Sequence, residues 1–127
     1  MKGQILFLRP REAADRAALT GFFAREEANF PESLWNDDGV LGKLAGEIVS
    51  HVAIRVTPER ALQIHHVYVA RGLRRMQVGR ATMAELETLA ARLGCHRLVV
   101  RNGCPEKEFF AKLGFSAVEG GFEKQLS

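Results

Sequence analysis

The chain lacks what crosses membranes and what staples very small folds. Its 127 residues include two cysteines, four prolines, one tryptophan and one tyrosine, and no apolar run nears the roughly 20 residues that span a bilayer. Met1-Lys2-Gly3-Gln4 precedes only four apolar positions, without the long apolar stretch and cleavage site of a signal peptide, so the sequence reads as cytoplasmic. Cys95 and Cys104 could close one bridge at most. Neither sits in a Cys-x-x-Cys pair or beside a His-x-x-x-His spacing, which points to free structural thiols and to no metal site.

What is present suits one globular domain over residues 1–127. Hydrophobic residues make up 46% and charged residues 26%, and a chain of this length buries about two thirds of its unfolded surface without staples. The net charge of +3 is unevenly spread, with 8 basic and 9 acidic residues up to position 70 against 10 and 6 beyond it. Arg71, Arg74, Arg75 and Arg80 form an acid-free cluster, and Glu26, Glu27, Glu32, Asp37 and Asp38 a base-free one. The first invites an anion and the second a cation.

Ile5 to Leu8 is a short apolar run closed by Arg9-Pro10, a first strand. Ala14, Ala18 and Phe22, with Leu19 and Phe23, recur at helical spacing and predict a helix with these residues on its buried stripe, ending before Pro31. Asn29 to Gly39 is turn chemistry. Val40 to Ala45 and Ile48 to Val56 flank Gly46-Glu47 as a hairpin, and after the turn Thr57-Pro58-Glu59-Arg60 comes a third extended run, Ala61 to Val69. Past an Arg/Gly loop from Arg71 to Gly79, Met83, Leu86, Ala90 and Leu93 mark a helix with Gly94 at its C-cap. Leu98 to Val100 is a buried strand and Glu106 to Leu113 a short helix stopped by Gly114. Phe115 to Val118 and Phe122 to Leu126 make a hairpin around Gly120-Gly121. The order β-α-β-β-β-α-β-α-β-β predicts an α+β fold around a mixed sheet.

The junction from Val69 to Ala81 joins a strand to a helix start through arginines and glycines. First-turn N–H groups without intrahelical partners and the positive end of the helix dipole suit a phosphate. Gly79 permits close backbone approach and the guanidinium groups add charge-assisted bonds. A solvated basic turn or a nucleic-acid patch would use the same residues, although no aromatic platform accompanies them. The spacing fits neither Gly-x-Gly-x-x-Gly nor the Walker loop.

Arg74-Arg75-Met76-Gln77-Val78-Gly79 resembles the Arg/Gln-x-x-Gly-x-Gly/Ala signature of the GNAT superfamily of acyl-CoA-dependent N-acetyltransferases. The family's lead-in strand is matched by Val67-Tyr68-Val69, and Phe109-Phe110-Ala111-Lys112-Leu113-Gly114-Phe115 is similar to its Phe-Tyr-Glu-Lys-Leu-Gly-Phe. The resemblance covers the chain and is most specific from Gln63 to Phe115. It implies a GNAT-like, mostly antiparallel sheet flanked by helices, and direct transfer of acetyl from acetyl-CoA to a primary amine. It further implies that Arg74, Arg75, Met76, Gln77, Val78, Gly79 and Arg80 wrap the pyrophosphate of the coenzyme. Val67, Tyr68 and Val69 would line the pantetheine arm and offer an amide to the thioester carbonyl. Asn102 and Phe110 are the remaining positions toward the coenzyme. Three departures stand out: Gln77 replaces the first glycine, Phe110 replaces the tyrosine that often protonates the leaving thiolate, and Asn102 lies one residue out of register.

An attacking amine must lose a proton, and histidine titrates in the useful range. With strict alternation His65 shares a face with Gln63, Val67 and Val69, and His66 shares the other with Ile64 and Tyr68. Family members that acetylate arylalkylamines look similar at His65, which singles it out as the catalytic base; a histidine merely packed in the strand is the competing reading. Tyr68 is read as core before acid, and His51 and His96 have no constellation. Glu32, Trp35, Asp37 and Asp38 fall where the family walls its acceptor site and would select a cationic small-molecule or peptide amine, a solvated acidic loop being the alternative. This reading needs no nucleic acid, membrane or metal, and leaves homodimerisation open. A second function class is a catalytically weak GNAT-like sensor of acetyl-CoA that regulates a protein partner, motivated by the hydroxyl that Phe110 lacks.

Overall fold

The computed structural model describes residues 5–9, 13–29, 38–73, 78–101 and 107–126. Among them, seven strands and three helices follow the expected order. These are β1 (Leu6–Leu8), α1 (Ala13–Arg25), β2 (Asp38–Leu44), β3 (Glu47–Val56), β4 (Ala61–Val69), α2 (Val78–Arg92), β5 (Arg97–Arg101), α3 (Lys107–Lys112), β6 (Ser116–Val118) and β7 (Gly121–Gln125). They build an α+β fold on one sheet of order β1-β2-β3-β4-β5-β7-β6, antiparallel except where β4 lies beside β5. That pair runs parallel because α2 carries the chain back along the sheet before β5 begins.

Each sheet face has its own core. On one, Val52, Ile54, Leu62 and Ile64 pack with Met83, Leu86 and Ala90 of α2 and with Phe110. On the other, Leu19, Phe22 and Phe23 of α1 cover Leu41 and Ile48. The stripe expected of α1 is therefore shorter than its periodicity suggests: Ala14 and Ala18 are exposed, because the packed residues all lie in the C-terminal half of the helix. Alanine at those positions serves helix propensity rather than burial.

Gly94 and Gly114 end α2 and α3 as expected, with φ of 73° and 90°. After α2, the Cys95 N–H donates to the Ala90 carbonyl at 2.8 Å and the Gly94 N–H to that of Ala91 at 3.1 Å, the paired bonds of a Schellman cap. Cys95, just past the cap, is a buried free cysteine. Burial pushes its thiol up, against the opposing charge of Arg60. Both hairpin turns sit one residue earlier than expected. The β2–β3 turn is Ala45-Gly46, with φ of 53° and 83°, as a type I′ turn requires; the β6–β7 turn is Glu119-Gly120. In each, glycine fills the second turn position rather than the first.

The β3–β4 ladder pairs Ala53 with His66 but Ile54 with Ile64, so His65 is the extra residue of a β-bulge. The bulge overturns strict alternation along β4. Ile64 and Val67 both pack on the α2 side, whereas His66 meets Phe23 and Tyr68 joins the α1 core. His66 thus shares a face with Tyr68 but not with Ile64.

Candidate active site

The ladder between β4 and β5 is short. It pairs Ala61–Ile64 with Arg97–Val100 and stops, while β4 continues alongside β3 as far as Val69↔Ser50 and β5 stays with β7 through Arg101↔Gly121. From His65 to Val69, about 16 Å of β4 therefore runs beyond the ladder it shares with β5. His65, Val67, Tyr68 and Val69 are half-buried along it.

The start of α2 is fixed at the end of this stretch. Ser50, opposite Val69, is fully buried, and its hydroxyl lies 3.4 Å from that of Thr82 in the first turns of α2. The Thr82 hydroxyl donates to the Val78 carbonyl at 2.8 Å, so the Ser50 proton is the one that joins the two oxygens. Val78 and Gly79 are buried, Arg80 is exposed, and the first turn holds no acidic residue, a setting that suits an anion. The expected loop is shorter than residues 71–79, since Arg71–Leu73 form a 3-10 turn and Val78 and Gly79 are already helical. Arg74, Arg75, Met76, Gln77 and Asn102 lie outside the described residues.

The α1 side of this stretch of β4 is aromatic. Phe23 lies 5.3 Å from Tyr68 and 6.0 Å from both His51 and His66, ring centre to ring centre, and Phe22 lies 5.8 Å from Tyr68. His51, which the sequence leaves isolated, thus belongs to a cluster opposite Tyr68. Burial, and secondarily the charge of nearby His66, lower its pKa from 6.5 to about 4, so at neutral pH it is a neutral packing residue. Glu26, at the end of α1, accepts hydrogen bonds from the Tyr68 hydroxyl and the Arg71 backbone N–H. His51 does not stand out in the sequence, and Glu26 does so only as one of an acidic cluster, because their partners are distant in the chain.

The remaining anticipated residues divide. Phe110 is fully buried, 5.3 Å from Phe115 and stacked on Phe122 at 6.0 Å. Asp38 is bound by Arg9 through two contacts and takes the Gly39 N–H at 2.8 Å. It lines a cavity of about 230 Å³ with Ile54, Leu62 and Leu93, at the opposite end of α2 from Val78. Glu32, Trp35 and Asp37 lie outside the described residues. Among the described residues, no three His, Cys, Asp or Glu side chains gather to hold a metal ion, and no helix is long and apolar enough to cross a membrane.

Solved structures share this architecture. A protein assigned to the GNAT family of acetyltransferases from Desulfovibrio desulfuricans matches with a TM-score of 0.76 at 20% identity, over 98% of this chain and 100% of that one. YhhK of Escherichia coli, an N-acetyl transferase candidate bound to coenzyme A, gives 0.71 at 20% identity over 98% and 99%. N-acetylglutamate synthase from Neisseria gonorrhoeae, complexed with coenzyme A and N-acetyl-glutamate, gives 0.79 at 15% identity over 100% of this chain and 36% of that one. No curated protein matches the sequence. The model of the acetyltransferase (GNAT) family matches residues 6–115, the span that carries both the parted strands and the start of α2, and the chain belongs to that family.

Proposed function

We propose that the chain, acting as one unit over residues 1–127, is an N-acetyltransferase that moves acetyl from acetyl-CoA to a primary amine. The observation that carries this reading is the end of the β4–β5 ladder at Ile64 and Val100, next to a helix start free of acidic residues. Two relatives of the same fold hold coenzyme A. Acetyl-CoA supplies an acyl group already activated as a thioester. The protein's share is then to hold it, to orient the amine and to move one proton.

In this reading the backbone of Val67, Tyr68 and Val69 takes the pantetheine arm much as an edge takes an added strand. An N–H of that edge donates to the thioester oxygen, where charge grows as the amine attacks. Val78, Gly79 and Arg80 hold the pyrophosphate together with Arg74, Arg75, Met76 and Gln77, and Asn102 is a further contact of the coenzyme. An imidazole nitrogen of His65 takes the amine's proton; its place at a bulge supports this, since bulges re-aim side chains beside active sites. Glu32, Trp35 and Asp37 wall the acceptor, and Asp38, bound by Arg9, contributes less. Phe110 backs the coenzyme side from within the core and donates no proton, so the thiolate leaves as the anion or is protonated by water.

Release of free thiol from acetyl-CoA, followed with polyamines, arylalkylamines, amino acids and peptide N-termini, tests the proposal. One amine class should raise release well above the amine-free rate. Tight coenzyme binding without turnover on any class would instead indicate an acetyl-CoA sensor.

A further inference from the structure

One carboxylate oxygen links α1 to the far end of β4. Glu26 Oε1 accepts the Tyr68 hydroxyl at 3.1 Å and the Arg71 backbone N–H at 2.8 Å. These donors bracket the point where β4 gives way to the 3-10 turn Arg71–Leu73, which leads into the signature arginines. The partners lie 42 and 45 residues apart in sequence, so tertiary structure alone brings them together. Both sides of the link are braced. The Tyr68 ring lies against Phe22 and Phe23. The end of α1 closes in a Schellman cap, with the Ala28 N–H on the Phe23 carbonyl at 3.0 Å and the Glu27 N–H on that of Ala24 at 3.1 Å. Glu27 there adopts a φ of 53°, a position glycine usually fills.

The transfer steps proposed above assign no role to this carboxylate, and its Oε1 already accepts a tyrosine hydroxyl and a main-chain N–H. We propose that Glu26 is a positioning residue that latches the coenzyme turn to α1, so that the cleft edge of β4 and the α1 wall are held in one arrangement. The proposal rests on the acetyl-CoA reading of the cleft. Because a single oxygen holds both donors, removing the Glu26 side chain releases both contacts, whereas removing the Tyr68 hydroxyl releases one.

Calorimetric titration of coenzyme A into Glu26→Ala, Glu26→Gln and Tyr68→Phe proteins, with amide hydrogen exchange at Arg71, tests the latch. Glu26→Ala is expected to weaken coenzyme A about tenfold and to raise KM for acetyl-CoA more than it lowers kcat. Glu26→Gln should stay within about twofold of the wild type, because its amide oxygen accepts the same two bonds. Tyr68→Phe should lose about threefold. The Arg71 amide should exchange faster in Glu26→Ala than in Glu26→Gln. A Glu26→Ala protein that binds like the wild type, or a Glu26→Gln protein as weak as Glu26→Ala, overturns the proposal. If Glu26→Ala does not fold, Tyr68→Phe decides, since unchanged affinity there overturns the proposal as well. A wild-type chain that takes no coenzyme A overturns the cleft reading and the coupling built on it. Arg71 exchange reports the latch itself in either case, so the two failures are distinguishable.

Discussion

Ile64 and Val100 are the last residues that β4 and β5 share in their parallel ladder, and His65, directly after Ile64, is the bulge residue of the ladder with β3. The end of one pairing and the irregularity in the other therefore fall at the same point of β4. In the proposed reading, an acyl thioester lying along β4 beyond that point meets an amine arriving from the α1 side.

If His65 takes the amine's proton, His65→Ala should lower kcat at neutral pH by about 10²–10⁴-fold and lose the low-pH limb of the rate profile. His66→Ala, which alters the Phe23 cluster instead, should keep that limb. Rate profiles of the two folded variants check this. A His65→Ala enzyme with the wild-type rate and limb would leave solvent as the proton acceptor.

Arg9 meets both oxygens of Asp38, which leaves this carboxylate committed to joining β1 and β2. Asp38→Asn should cost less than about 1 kcal/mol, since the pair is partly exposed, and should barely change KM for a cationic amine. Asp37→Asn should raise that KM, and added salt should mimic it. Steady-state kinetics at two ionic strengths separates the two residues; equal effects would leave the acidic stretch without a part in selecting the acceptor.

The sequence is most informative where structure is written locally. Met83, Leu86 and Ala90 are spaced for one helix face, and they are buried on it. Gly94 and Gly114 mark helix ends because only a residue tolerant of positive φ fits there cheaply. The site is less legible, because its determinants are nonlocal. No residue type announces the bulge at His65; it arises from how β4 pairs with β3, and it shifts the face of every later residue in the strand. His51 finds its companions on β4 and α1, and Glu26 finds its own more than forty residues away. Ala14 and Ala18 show the converse, a helical period with no burial behind it.

His51 makes stability depend on pH. Its folded pKa of about 4 lies below the unfolded value of 6.5, so between these values the unfolded chain binds a proton that the folded one does not. Stability should therefore fall by up to about 3 kcal/mol as pH drops from 6.5 to 4, then level off for this group. Denaturant unfolding across that range should show a shallower dependence in His51→Gln than in the wild type. Identical slopes would mean that His51 is protonated in the fold.

Phe110 is enclosed by Phe115 and Phe122, so restoring the family's tyrosine should not restore an acid. Phe110→Tyr is expected to lose about 1–3 kcal/mol of stability by burying a hydroxyl, with no gain in thiol release. Faster turnover in this variant would show that the ring reaches the cleft.

The most direct measurement of the central claim is an amide chemical-shift titration of the wild-type chain with acetyl-CoA. Saturable shifts are expected, concentrated on His65–Val69 and Val78–Arg80, the stretch of β4 that β5 leaves and the turn that begins α2. Shifts confined to the Arg9, Asp38 and Leu93 cavity, or none at saturating coenzyme, would contradict that claim.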